Sequence, residues 1–153
     1  MTPATRPKDI GTRGETAVVN FLRENGFPHA ERRALAGSLD LGDILVTAGV
    51  IAEVKAGVAA ETASDGQVVE WLAETERERV HANAAVGLLV TKRRGKGHGN
   101  AGQWWAHLRL GDLRALLAGI GDLGRAEARI AVRLTLADAV RLLRSAGYGE
   151  PLP

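Results

Sequence analysis

Three charged residues stand in the most apolar part of the chain, the stretch Gly42-Asp43-Ile44-Leu45-Val46-Thr47-Ala48-Gly49-Val50-Ile51-Ala52-Glu53-Val54-Lys55. Glu53 and Lys55 are two residues apart, so on a strand they project from one face while Ala52 and Val54 face the other way. Asp43 opens the preceding run. The Ala48-Gly49 link suits a hairpin that brings Asp43 alongside Glu53. Charged groups in a central strand are costly to bury without partners. A Glu53–Lys55 ion pair on an exposed strand face is one solution, and the apolar neighbours argue against it. The sharper solution is a hard divalent cation, Mg2+ with Mn2+ as a substitute, held by Asp43, Glu53 and the backbone carbonyl of Val54 and completed by water and a phosphate oxygen. Lys55 would then hold the attacking water and stabilise charge developing on phosphorus.

The surrounding elements must bring these groups together. Residues 1–10 read as a flexible leader and 11–153 as one domain. From Thr12 to Asn25, Ala17, Val18, Phe21 and Leu22 recur at helical spacing, with Thr12 and Glu15 placed as a capping box and Gly26 as the stop. Ala30–Leu35, Asp43–Thr47 and Val50–Ala56 have strand character, and Gly37-Ser38 breaks the chain between the first two. Asp65–Ala85 reads as a second long helix. Val68, Trp71, Leu72 and Thr75 lie on one face, while Glu74, Glu78, Arg77 and His81 form i,i+4 pairs on the solvated side. Val86–Thr91 reads as a buried strand. Lys92-Arg93-Arg94-Gly95-Lys96-Gly97-His98-Gly99 follows as a flexible basic loop, either solvated or in contact with phosphates. Gln103–Leu110 reads as a strand, Gly111–Gly119 as a short helix, Ala128–Leu134 as a strand and Leu136–Ala146 as a helix. The expected class is α/β, with a central mixed sheet flanked by helices in the order α-β-β-β-α-β and an additional C-terminal helical segment.

Asp43, the hairpin and Glu53-Val54-Lys55 together resemble the PD-(D/E)XK nuclease superfamily, in which an acidic residue at a strand start is followed by a hairpin and then Glu/Asp-X-Lys. The resemblance implies a restriction-endonuclease-like core across roughly residues 11–92, with Glu15 as a metal-binding carboxylate on the first helix and Gln67 as a supporting residue on the next. Gly14-Glu15, Arg32-Arg33, Gly37-Ser38 and Asp43-Ile44 are closest to Holliday-junction resolvase-like enzymes of archaeal and phage type. That implies DNA contacts from Arg32, Arg33 and Ser38, to which Lys92, Arg93, Arg94 and Lys96 of the basic loop would add phosphate contacts by their charge. Arg32 and Arg33 are consecutive on a strand, so only one of them can face the site. Two departures stand out: Gly42 occupies the place where the superfamily commonly has Pro, and Asp40 is a second acid near the first ligand position. The tail after residue 110 carries no matching motif.

Composition bounds the alternatives. The chain has 153 residues, 45% hydrophobic and 25% charged, with no cysteine. That suits a single folded domain and excludes disulfides, thiolate catalysis and cysteine-bound zinc. Four scattered histidines lack metal-ligand spacing. The polar N-terminus is no signal peptide, and no run is long enough to span a membrane, so a cytoplasmic, bacterial or phage-encoded protein is expected. The expected activity is Mg2+-dependent endonucleolytic cleavage of DNA, selective for branched or four-way junctions. Its competitors are a repair- or restriction-type nuclease on duplex DNA and a non-catalytic nucleic-acid-binding module. A junction-cutting enzyme needs two symmetric sites, so a homodimer is expected, with its interface drawn from Trp104 or Trp105 and the Leu136–Leu143 helix.

Overall fold

The computed structural model describes residues 6–34, 40–117 and 124–152. It is an α/β fold with a six-stranded mixed sheet in the simple order β1 to β6. The strands are Glu31–Arg32 (β1), Ile44–Thr47 (β2), Val50–Lys55 (β3), Val86–Thr91 (β4), Trp105–Arg109 (β5) and Ala131–Thr135 (β6). All neighbours pair antiparallel except β3 and β4, which run parallel. A parallel pair needs a crossover, and the crossover here is the helix Asp65–His81 (α3), preceded by the short Val58–Glu61 (α2). Ser64 caps α3 by accepting a hydrogen bond from the Gln67 amide.

The first helix, Pro7–Glu24 (α1), starts earlier than the sequence suggests. Pro7 suits the first helical position because its missing N–H would have no intrahelical partner there. Two expectations are corrected by this. Residues 7–10 belong to the helix and not to a leader, and Thr12 lies inside the helix, so Thr12 and Glu15 form no capping box. The expected strand at Ala30–Leu35 is short, because only Glu31 and Arg32 pair with β2. Ser38 lies outside the described residues.

Two side-chain layers sandwich the sheet. On one side, Val18 and Leu22 of α1 pack with Val50, Ala52 and Val54, with Leu88 and Val90, and with Leu136, Val140 and Leu143 of the helix Leu136–Ser145 (α6), forming the main core. Each such valine or leucine side chain, removed from water, contributes about 1.5–3 kcal/mol. The close approach of α1 depends on Gly14, where a Cβ would fall inside van der Waals contact with the Ala56 side chain just past β3. The other face carries Ile51, Glu53 and Lys55, covered by α3 through Leu72 and Thr75.

Past β4 the chain is anchored. The basic segment leads into a 3₁₀ helix, His98–Gln103, and the Lys96 carbonyl accepts a hydrogen bond from the fully buried Trp104 indole at 2.9 Å. The expected flexible loop is therefore a fixed connection. The expected strand from Gln103 begins only at Trp105, because Gln103 closes the 3₁₀ helix. The remaining helices are Leu110–Leu116 (α4) and Arg125–Ala128 (α5). Trp104, Leu136, Val140 and Leu143 are buried in the chain's own core, whereas Trp105 and Leu142, on the elements expected to supply a dimer interface, are half-buried.

Candidate metal centre

β2 ends its pairing with β3 at Ile44–Ala52, one residue short of Asp43. The Val54 amide, left without a strand partner on that edge, donates instead to the Asp43 carboxylate at 2.8 Å. A residue's N–H and C=O point to the same edge of a strand, so the Val54 carbonyl faces the same notch. Gly42 sets the entry of Asp43. Its φ of +91° is closed to proline, whose ring fixes φ near −65°. The departure from the common Pro is thus a backbone requirement of this chain. Asp40 is exposed and accepts a hydrogen bond from the Gly42 amide at 3.0 Å, as a turn former does. The carboxylate at the notch, half-buried, is Asp43.

Glu53 lies on β3 and is 7% exposed. One oxygen, Oε1, accepts from Lys55 Nζ at 3.2 Å; the other, Oε2, is buried and meets no N–H donor, and the carboxyl lies within hydrogen-bond reach of Glu78 when one of the two is protonated. Opposite it stands Glu78 of α3, also buried, and its Oε2 likewise meets no N–H donor. Sequence reasoning placed Glu78 on the solvated side. Its position continues the inward stripe Leu72–Thr75 by three residues, and that spacing was the signal that identified the stripe itself. Glu74, also assigned to the solvated side, reaches Lys55 at 3.7 Å. Trp71 sits beside the same ammonium, with its ring centroid 5.8 Å from Nζ.

The electrostatics follow from this crowding. Burial, then the neighbouring Glu53, pushes Asp43 up to about 7, against the Val54 hydrogen bond. Burial, then Glu78, pushes Glu53 up to about 7. Glu78 itself is raised to about 7, chiefly by burial. Burial is the largest influence on Lys55 and pushes it down, but the combined attraction of Glu53, Glu74 and Asp43 holds it above the ordinary lysine value. Lys55 is therefore a cation and suits charge stabilisation better than proton abstraction. Two buried carboxyls and the half-buried Asp43 share one lysine, a deficit of positive charge that a divalent cation would correct.

Among the described residues, no three His, Cys, Asp or Glu side chains form a preformed metal cluster. The donor set still fits Mg2+, which commonly binds through one or two carboxylates and keeps several waters. Asp43, Glu53 and the Val54 carbonyl supply oxygen donors of that kind.

Other expected residues are placed as follows. Glu15 lies near enough to raise Asp43 but is engaged by Arg32 at 2.8 Å. Arg32 is thus the arginine on the site side, while Arg33 binds the Leu41 carbonyl at 3.1 Å. The Gln67 side chain pairs with Glu70 at 3.4 Å on the surface and makes no contact with Asp43, Glu53 or Lys55. In the basic segment Lys92 is paired with Glu61, Arg93 lies over the Trp105 ring, and Arg94 is exposed. No helix among the described residues is long and apolar enough to cross a membrane. Comparison of the chain with protein-family models, with curated proteins and with solved structures gave no match.

Proposed function

We propose that this chain is a Mg2+-dependent endonuclease with a restriction-endonuclease-like core, acting on DNA and related in manner to Holliday-junction resolvases. The observation that carries the reading is the gathering of the Asp43 and Glu53 carboxyls, both pushed up by burial and by neighbouring carboxylates, around a cationic Lys55. Asp43, Glu53 and the Val54 carbonyl would hold the metal, with Mn2+ able to replace Mg2+. When bound, the metal would supply Lewis-acid polarisation of a phosphoryl oxygen and a more acidic water.

The chain's own residues do the rest. Val54 N–H fixes the Asp43 carboxylate. Trp71 and Glu74 hold the Lys55 ammonium at the site, where it can donate to a non-bridging phosphate oxygen as negative charge builds. Glu78 packs behind Glu53 and limits where its carboxylate can point.

The test is incubation with a linear duplex and a four-way junction of the same sequence, in Mg2+ and in chelator. Cleavage in Mg2+ alone, lost in Asp43→Ala and Glu53→Ala, supports the reading. Full activity in Glu53→Ala would refute the site. Preferential binding and cutting of the junction would identify the resolvase-like substrate, and equal cutting of both DNAs would leave a duplex nuclease.

A further inference from the structure

On the α3 face of the sheet, Lys55, Thr91 and Trp105 are register partners across β3, β4 and β5. Adjacent strands lie about 4.8 Å apart, so Trp105 stands about 10 Å from Lys55 along the row. The Trp105 indole is flanked by two guanidinium groups, from Arg93 just past β4 at 4.0 Å and from Arg133 on β6 at 4.1 Å. Neither has a carboxylate within ion-pair distance among the described residues, although Glu61 nearby is neutralised by Lys92. Arg133 and Trp105 border a cleft of about 480 Å³ between the start of α3 and β4–β6, with Glu61, Asp65, His107 and Thr91 also lining it; Arg93 lies outside that lining, and its Nη1 donates to the Gln103 carbonyl at 3.5 Å. His107 is hydrogen-bonded to Thr91 at 3.0 Å. Burial, then Arg133, lowers it to about 4, so the lining histidine adds no charge of its own at neutral pH.

Two like-charged guanidiniums held close to one ring repel each other. Stacking on the indole offsets part of that repulsion and fixes their planes in advance. With no carboxylate partner and oriented in advance, the two guanidiniums can each donate to phosphate oxygens. We propose that Arg93 and Arg133, organised by Trp105, form a phosphate clamp that receives the DNA backbone beside the metal centre. Lys92 takes no part, and the second half of the chain, through β6, supplies half of the clamp.

This inference rests on the nuclease reading for its ligand, and the experiment separates the two. Binding of a short fluorescein-labelled duplex is measured in chelator, where no cleavage occurs, over a range of salt concentrations. Arg93→Gln and Arg133→Gln should each weaken binding and reduce the slope of log K against log salt by about 0.9, the value for one lost phosphate contact. Arg141→Gln, an exposed arginine on α6, should leave the slope unchanged; an equal reduction there would overturn the clamp as a specific site. Trp105→Leu keeps both charges and should still weaken binding, an effect that net charge alone does not produce. Should Trp105→Leu fail to fold, the arginine variants decide. Unchanged slopes in Arg93→Gln and Arg133→Gln with a wild type that cleaves DNA would overturn the clamp and leave the nuclease. Reduced slopes without cleavage in any divalent metal would keep the clamp and overturn the nuclease. A wild type that does not bind DNA overturns both.

Discussion

Glu53, Asp43 and Glu78 are linked through protons as well as position. Their native values lie near about 7, against ordinary values of 3.8 for Asp and 4.5 for Glu. The sign is that of raised acids: the stability they lend is complete below the unfolded values and is lost as pH rises through about 7. The melting temperature of the metal-free protein should therefore fall as pH is raised from about 5 to about 8. Mg2+ should restore it at the upper end, because it binds the deprotonated form. Glu53→Gln should flatten the fall and abolish the Mg2+ effect. Apparent Mg2+ affinity should weaken as pH drops below about 7, roughly tenfold per unit for each proton displaced. In Glu78→Gln the midpoint of that dependence should move to lower pH, since a like charge that raises Glu53 is gone. Calorimetric titration across pH checks both, and an unmoved midpoint would remove Glu78 from the site. The triad of Asp43, Glu53 and Lys55 was legible in the sequence because charge in an apolar strand is conspicuous. Glu78 was not, because one more glutamate in a charged helix looks solvated until the helix is set on the sheet.

At the scale of elements, the centre depends on where β2 stops pairing and on how closely α1 approaches β3. Gly14→Ala adds a methyl where Ala56 already sits. Overpacking of this kind costs about 1–3 kcal/mol, more than the gain of about 1 kcal/mol from better helix propensity. Chemical denaturation should show Gly14→Ala destabilised and the double variant Gly14→Ala/Ala56→Gly largely recovered. Additive losses instead would mean that the two residues do not meet. The periodicity of α1, α3, β3 and β4 was readable because each buries a continuous stripe. The start of α1 was misread because Thr12 and Glu15 imitate a capping box, whereas Pro7 supplies the true first turn. The segment after β4 was misread as flexible because its glycines hide an anchor, the Trp104 indole on the Lys96 carbonyl.

For the whole molecule, Leu136 and Leu143 of α6 serve the chain's own core. Leu143→Ala should cost about 2–5 kcal/mol of stability, with an unfolding midpoint independent of protein concentration. A midpoint that rises with concentration would return α6 to a subunit interface. Sedimentation at micromolar concentration tests the homodimer that the resolvase-like reading requires, and a monomer would restrict the proposal to a nuclease acting through one site. That single-site chemistry is the central claim, and Lys55→Ala probes it most directly. The variant should bind Mn2+ and labelled duplex as the wild type does, yet cleave in Mg2+ about 10²–10³-fold more slowly, the loss expected when one transition-state charge stabiliser is removed. Cleavage by Lys55→Ala at the wild-type rate would contradict the assignment.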